Sequence, residues 1–253
     1  MGAVEGRSRA WDGCFNVRDL GGLETATGRR TRRGAVVRAD NVRGLTAAGW
    51  QAALDHGVRR LVDLRFEAER ESEPDPPAGV DVVAVSLFGG HDPVVENRIA
   101  ERLISADDAA AAHAGFYIRT LEQRPETVAA AVAAVAGADR ASGVVIHCFA
   151  GKDRTGIVSA LVLGVAGVPD EIVAADYAES GRNMSHLFDD WIADAASEED
   201  RELRRRLALA EQATMQLVLE WLRERAGGAA GYLLEAGLSE EQLERLRARL
   251  VDD

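Results

Sequence analysis

The sequence lacks several features that would place it in other classes of protein. Two cysteines among 253 residues are too few for a disulfide-rich scaffold, so we interpret Cys14 and Cys148 as free thiols of a reducing compartment. No run of 18 or more apolar residues occurs, which argues against a membrane-spanning helix. Residues 1–10 contain no apolar core, so we expect no signal peptide and a cytoplasmic location, with secretion by another route left open.

A net positive charge is also lacking, because 42 acidic residues outnumber 30 basic ones. A net charge of -12 disfavours nucleic acid or an anionic membrane as a bulk partner, because such binding needs a broad positive surface. The five histidines are scattered without the spacing of metal ligands, so we predict no metal site. Apolar residues make up 47% of the chain, which is enough for a substantial core. The oligomeric state is not indicated.

One nine-residue segment carries the strongest chemical pattern, namely His147-Cys148-Phe149-Ala150-Gly151-Lys152-Asp153-Arg154-Thr155. An apolar run at residues 144–146 precedes it, and a helix-compatible run at 157–163 follows it. The segment is therefore predicted to be a loop between a buried strand and a buried helix. A loop in this position presents backbone N–H groups at a helix N-terminus, where a dianion is favoured.

The side chains of this loop fit a nucleophile inside a phosphate-binding cradle. A cysteine at a helix N-terminus and beside an arginine is expected to be a thiolate, so Cys148 can attack without a separate base. Arg154 offers a planar fork for two oxygens, and Lys152, the only lysine of the chain, adds a second positive charge. The predicted phosphate-binding residues are Phe149, Ala150, Gly151, Lys152, Asp153 and Arg154.

The order of predicted elements indicates an α/β fold. Strands at 35–39, 60–64, 82–87 and 144–147 alternate with helices, which favours a mainly parallel central sheet flanked by helices. Further helices are predicted after Pro169, over 201–225 and after Ser239, where Ser239 and Gln242 form a capping-box pattern. We expect one domain over residues 1–253, with 1–10 flexible.

Residues 183–225 admit two interpretations. Met184, Leu187, Phe188, Trp191 and Ile192 recur at helical spacing with acidic residues opposite. Such a pattern is typical of a helix that packs on the core. The alternative is a helical extension that acts as a mobile lid over the active site.

The loop resembles the signature of the cysteine-dependent protein tyrosine phosphatase superfamily, which is His-Cys, five residues, Arg, then Ser or Thr. Three further segments resemble the bacterial tyrosine phosphatase family 3, which includes mycobacterial and listerial phosphatases of broad specificity: Asn16-Val17-Arg18-Asp19-Leu20-Gly21-Gly22, Val62-Asp63-Leu64-Arg65 and Gly231-Tyr232-Leu233-Leu234-Glu235-Ala236-Gly237-Leu238. The resemblance spans about residues 10–250. It implies one domain of the phosphatase α/β fold and a hydrolase that needs no cofactor.

The resemblance also implies roles for individual residues. Cys148 would form a phosphocysteine that water hydrolyses, Thr155 would help the thiolate to leave, and His147 would orient the loop. The general acid is open among Asp63, Asp153 and, more weakly, Asp92, because no Trp-Pro-Asp segment exists. Each of these aspartates could instead cap backbone donors at a turn.

The sequence also allows more than one role for the supporting residues and more than one class of substrate. Arg65 could add positive potential to the pocket, and Arg18 and Asp19 could either pack near the cradle or form a turn. We predict a phosphatase that acts chiefly on protein phosphotyrosine with relaxed specificity, and a phosphoinositide phosphatase is the alternative. An inactive phosphate-binding module and a redox role for Cys148 are alternatives of other classes.

Overall fold

The computed structural model describes residues 6–71, 75–90 and 101–252. Its described strands form one sheet in the order β1-β2-β5-β3-β4. The strands are β1 Arg18–Asp19, β2 Val36–Ala39, β3 Val58–Asp63, β4 Asp81–Ala84 and β5 Gly143–His147. Only the β1–β2 pair is antiparallel. The predicted mainly parallel α/β sheet is therefore confirmed, and the two-residue β1 was too short to be predicted.

Strand β5 is the central strand of the sheet, and both of its faces are covered. All five of its residues are buried, as a run of Gly, Val, Val, Ile and His between two layers of helices requires. The pairing register places His147 beside Ala39 of β2 and Asp63 of β3. The carboxyl ends of three parallel strands therefore meet at the point where the nine-residue loop begins.

Helices cover both faces of the sheet. The described helices with assigned bounds are α1 Ala47–Asp55, α2 Ala109–Gln123, α3 Pro125–Ala136, α4 Asp153–Val165, α5 Asp170–Asn183, α6 Ser185–Ala193, α7 Glu198–Ala208, α8 Gln212–Ala226, α9 Ala229–Glu235 and α10 Glu240–Leu250. Helix α4 is buried on all sides, since eleven of its residues are inaccessible. The predicted N-caps Thr46 and Ser239 are confirmed, the latter within a complete capping box. No helix in the described ranges has the length and apolar character to cross a bilayer.

The segment predicted as one helix over 201–225 is two helices. Leu209 is extended, with φ -60° and ψ 137°, and it lies between α7 and α8. Helix α8 packs into the core through Met215, Val218, Leu219 and Leu222. Helices α6 and α7 contain no buried residue, so the interpretation of α6 as a core helix is wrong. At the other end of the chain, Arg7 is buried and ion-paired with Asp176, although residues 1–10 were expected to be flexible.

Candidate active site

Cys148 lies directly after β5, and its side chain is 2% exposed. The loop turns at Gly151, whose φ of +66° lies in the left-handed region. A Cβ atom at Gly151 would lie 2.5 Å from the carbonyl oxygen of Ala39, so only glycine allows the loop to approach β2 this closely. Helix α4 then begins at Asp153, with its first N–H groups at the loop. The thiol thus sits at the N-terminus of a buried helix, as the sequence predicts.

Arg154 is fixed by a carboxylate that sequence analysis missed. Its Nη1 and Nη2 donate to the two carboxylate oxygens of Glu69 at 2.5 and 2.9 Å. The guanidinium also lies over the rings of Phe66 and Phe88, 4.9 and 5.7 Å from their centroids. Burial opposes the charge of Arg154, but Glu69 outweighs it and raises the pKa of the arginine. Arg154 is therefore charged and held in one orientation.

Asp63 lies at the end of β3, as predicted, and it is fully buried. Both of its oxygens accept from the Arg65 guanidinium, at 3.0 and 2.8 Å. Burial favours the neutral acid, but Arg65 and His147 outweigh it, so the pKa of Asp63 lies below its ordinary value. His147 Nε2 lies 3.7 Å from Asp63, and burial lowers the pKa of His147 to about 4. Arg65, Asp63 and a neutral His147 thus form a buried layer beneath Cys148.

Asp153 lies at the rim of the cradle, where a third of its side chain is exposed. It pairs with Lys152 Nζ at 2.8 Å and accepts a short hydrogen bond from the hydroxyl of Tyr117. That hydroxyl also lies 2.8 Å from the hydroxyl of Tyr177. Burial favours the neutral acid here too, but Lys152 and Tyr117 outweigh it and lower the pKa of Asp153. Asp153 is therefore an ionised carboxylate beside the loop.

Lys152 connects the cradle to the break between α7 and α8. Its ammonium is almost fully buried and donates to the carbonyl oxygen of Leu209 at 3.0 Å. Burial opposes its charge, but Asp153 outweighs it and raises the pKa of Lys152. The predicted phosphate-binding lysine is thus engaged by the segment that follows α7.

Arg18 lies behind the loop in a buried polar layer that also includes Arg38, Asp176 and Ser180. Arg18 and Arg38 bind opposite oxygens of the Asp176 carboxylate, at 3.1 and 2.7 Å. Both guanidinium groups also contact the hydroxyl of Ser180. Asp176 was missed because it lies in the middle of a helix. The spacing of residues 173, 176, 177 and 180 could have identified it, because these positions share one buried face of the helix. An acid on a buried face needs a cationic partner.

Asp19 does not lie with this layer. Its carboxylate accepts from the backbone N–H groups of Gly21 and Gly34, both at 2.8 Å, and lies 3.2 Å from His56. Burial favours the neutral acid, but His56 and the two N–H groups outweigh it, so the pKa of Asp19 lies below its ordinary value. Asp19 therefore organises the turn at the glycine pair.

Thr155 and Asp92 are the remaining predicted site residues. The hydroxyl of Thr155 is buried, and it has no hydrogen-bond partner among the described residues. Asp92, the third candidate for the acid, lies outside the described residues.

Two exposed phenylalanines lie beside the cradle. Phe149, which follows Cys148, is 64% exposed, and Phe15 is 50% exposed. The two phenylalanines flank one segment, because Asn41 N–H donates to Phe149 and the carboxylate of Asp40 accepts from Phe15 N–H. The Phe15 ring packs edge-on against His186 of α6, with centroids 4.7 Å apart. Two exposed aromatic rings thus lie beside the loop that carries the buried thiol.

Comparisons with known proteins agree with this geometry. Residues 9–252 match the sequence model described as the tyrosine phosphatase family. A tyrosine-protein phosphatase of Nostoc commune is 30% identical over 225 residues, which cover 85% of this chain and 74% of the relative. The triple specificity protein phosphatase PtpB of Mycobacterium tuberculosis is 26% identical over an alignment that covers 96% of this chain and 99% of the relative.

Proposed function

This chain belongs to the tyrosine phosphatase family and is an enzyme of that class, and from that premise we propose that it hydrolyses phosphomonoesters through a phosphocysteine on Cys148. The observation that carries the proposal is the position of Cys148. It lies in the loop that leads into the buried helix α4, six residues before Arg154, whose guanidinium is fixed by Glu69. A thiol, a charged guanidinium and the start of a buried helix in one loop are the combination that suits binding and transfer of a phosphoryl group.

The chemistry takes two steps. The Cys148 thiolate attacks phosphorus, an S–P bond forms, and the P–O bond to the leaving group breaks with its electron pair on oxygen. Water then attacks the phosphocysteine, the S–P bond breaks, and inorganic phosphate and the thiolate are released. The buried hydroxyl of Thr155 has no other described partner and can donate to the departing sulfur. Arg154 and the loop N–H groups hold the equatorial oxygens in both steps.

Of the two candidate acids within the described residues, we assign proton exchange with substrate or water to Asp153. Asp63 is fully buried and both of its oxygens accept hydrogen bonds from Arg65, so it acts by holding Arg65 and His147. Asp153 is partly exposed at the rim. Because its pKa is lowered, its ionised form prevails at neutral pH and suits activation of water in the second step. Donation to a leaving group requires the minor protonated form.

The charges around the pocket favour phosphotyrosine over a substrate with several phosphates. The ammonium of Lys152 is engaged by Leu209 and Asp153, and the fork of Arg154 is shared with Glu69. Little positive charge is left for a second phosphate group. The exposed rings of Phe149 and Phe15 instead offer apolar contact to an aryl ring. We therefore expect phosphotyrosine to be preferred and phosphoinositides to be turned over more slowly.

The test is release of inorganic phosphate, without metal and with reductant, from p-nitrophenyl phosphate, a phosphotyrosine peptide, a phosphoserine peptide and a short-chain phosphoinositide. We expect turnover by the wild type, loss of turnover in Cys148→Ser, and the highest kcat/KM on the phosphotyrosine peptide. Mass spectrometry of acid-quenched enzyme should show an added phosphoryl group on the peptide containing Cys148. A wild type that binds phosphate without releasing it from any substrate would identify a binding module instead.

The role of Asp153 is tested with Asp153→Asn and Asp63→Asn on aryl phosphates of increasing leaving-group pKa. If Asp153 handles protons, its variant should lose roughly 100-fold or more in kcat, with a changed dependence on the leaving group. Asp63→Asn should instead lower the melting temperature, because a buried partner of Arg65 is lost. An Asp153 variant with the wild-type leaving-group dependence would contradict the assignment.

A further inference from the structure

The outer side of the cradle is held by donors from distant parts of the chain. Asn41 N–H donates to the carbonyl oxygen of Phe149 at 2.9 Å. The side-chain nitrogen of Asn16 donates to the carbonyl oxygen of Ala150 at 2.9 Å and to that of Gly151 at 3.2 Å. Arg38 Nη2 also donates to Gly151, at 2.7 Å. Three consecutive carbonyl groups therefore point away from the substrate side.

Because the peptide unit is planar, the direction of each carbonyl group also fixes the direction of the N–H group in the same unit. In a trans peptide the carbonyl and the N–H of the same unit point in opposite directions. The carbonyls of Phe149, Ala150 and Gly151 share their units with the N–H groups of Ala150, Gly151 and Lys152. Within the described ranges no acceptor is assigned to these three N–H groups. They are thus directed into the cradle and available to the oxygens of a ligand.

Asn16 and Arg38 are themselves fixed by buried partners. The side-chain oxygen of Asn16 accepts from Arg18 Nη1 at 2.5 Å and from Asn183 at 3.1 Å, so its amide nitrogen must face the loop. Arg38 Nη1 binds Asp176 at 2.7 Å. Asn16 is fully buried and Arg38 is 1% exposed. Both side chains are thus buried and bonded to fixed partners as well as to the loop, which makes them rigid supports.

We propose that Asn16 and Arg38 are positioning residues for the phosphate cradle. By holding the carbonyls of Ala150 and Gly151 outward, they direct the N–H groups of Gly151 and Lys152 at the phosphoryl oxygens. The affinity of the cradle for a tetrahedral dianion therefore depends on two side chains that contact the loop and do not contact the dianion. This inference rests on the proposed phosphatase function, because it concerns the same site.

A purely structural role predicts a different outcome. Buried polar groups need partners in any protein, and loss of one partner costs stability. If Asn16 and Arg38 served stability alone, variants that still fold would bind an oxyanion as the wild type does. If they set the loop, folded variants would bind it more weakly. Anion affinity in the folded protein separates the two roles.

The central variant is Asn16→Asp, which keeps the size of the side chain and an oxygen for Arg18 and Asn183. It removes the donor to the loop and sets an oxygen against two carbonyls. Asn16→Ala removes the same donor without adding charge, so it separates donor loss from electrostatic repulsion. Ser180→Ala is the matched control, because Ser180 contacts Arg18 and Arg38 at 3.0 and 3.3 Å but not the loop.

The measurements are the affinity for tungstate by calorimetry and the pH dependence of Cys148 alkylation by iodoacetamide, neither of which requires turnover. We expect both Asn16 variants to bind tungstate at least about tenfold more weakly than the wild type. A tenfold loss corresponds to about 1.4 kcal/mol, which is the contribution of one hydrogen bond. The alkylation midpoint should move to higher pH, because misdirected N–H groups stabilise the thiolate less. Ser180→Ala should stay within twofold of the wild type.

Arg38→Lys keeps a charge near Asp176 and provides a second variant if the Asn16 variants do not fold. It should weaken tungstate binding in the same direction. Folded Asn16 and Arg38 variants with wild-type affinity and alkylation profile would overturn the proposal. If only the charged Asn16→Asp weakens binding, repulsion is the cause and the proposal is likewise overturned. A wild type that binds tungstate but turns over no substrate would contradict the phosphatase proposal without contradicting the positioning role of Asn16 and Arg38.

Discussion

Replacing Gly151 by alanine forces a Cβ atom into the carbonyl group of Ala39, and the chain offers a control that measures backbone strain alone. Gly151 and Gly167 have similar φ values, +66° and +76°. A Cβ at Gly151 would meet Ala39 oxygen at 2.5 Å and Ala39 carbon at 2.6 Å, whereas one at Gly167 would have no neighbour within 4 Å. Only the first substitution combines strain with a clash.

The expected magnitudes follow from these contacts. An alanine in the left-handed region costs about 1–2 kcal/mol at either position. Relief of the clash at Gly151 needs a shift of about 1 Å, since ordinary contacts begin at 3.4 Å. That shift removes the bond from Arg38, worth about 1.5–3 kcal/mol, and weakens the bond from Asn16, worth about 1 kcal/mol. Gly151→Ala should therefore lose roughly 3–6 kcal/mol of stability, against about 1–2 kcal/mol for Gly167→Ala.

The assays are urea unfolding followed by tryptophan fluorescence and steady-state hydrolysis of p-nitrophenyl phosphate. A displacement of 1 Å at a reacting centre costs on the order of 100-fold in rate, so kcat of Gly151→Ala should fall by about that factor. Gly167→Ala should keep the wild-type kcat. If the two variants match in both stability and kcat, the close approach of the loop to β2 has no functional consequence and the reasoning is refuted.

Three further predictions concern side chains around the same site. Glu69→Gln should lower kcat/KM by about tenfold while the melting temperature changes little, because one charge-assisted bond to Arg154 is lost; a faster variant would show that Glu69 competes with substrate. His147→Gln should remove a pH-dependent loss of stability: the pKa of His147 is about 4 in the folded protein and 6.5 in the reference state, so the unfolded chain binds more protons between these values. Acidification from pH 6.5 to 4 should therefore destabilise the wild type by about 3 kcal/mol more than the variant, as urea unfolding at each pH would show, whereas equal slopes would contradict it. Lys152→Met should loosen the end of α7, which Lys152 holds through the Leu209 carbonyl, so trypsin should cleave α7 at the arginines of residues 201–206 several-fold faster than in the wild type; unchanged cleavage there, with α8 as the internal control, would argue against the contact with Leu209.

The strongest periodic and motif patterns predicted the fold well because they arise from local physics. Continuous apolar residues at 144–146 predict a strand covered on both faces, and β5 is buried throughout. The caps at Thr46 and Ser239 are confirmed, because a side chain and a backbone donor three residues apart are enough to define them. The loop from Cys148 to Arg154 was placed between strand and helix for the same local reason.

The parts that were missed depend on pairing across the chain. Nothing around Glu69 marks it as the partner of Arg154, since the two residues are 85 positions apart. The break at Leu209 was missed because residues 201–225 carry no proline or glycine, and a buried ammonium on another segment is what engages the Leu209 carbonyl. The interpretation of α6 as a core helix failed because apolar periodicity shows which residues share a face and does not show what covers it.

The position of Asp176 has a consequence for how the enzyme is assembled. Its carboxylate gathers Arg7, Arg18 and Arg38, which are 169, 158 and 138 positions away in sequence. Contacts of such long range form late, because closing large loops costs entropy before any bond compensates it. Helix α5 must therefore dock before the arginines can settle behind the cradle. During refolding, recovery of oxyanion binding should lag behind recovery of helical signal, which makes the active site itself a reporter of complete folding.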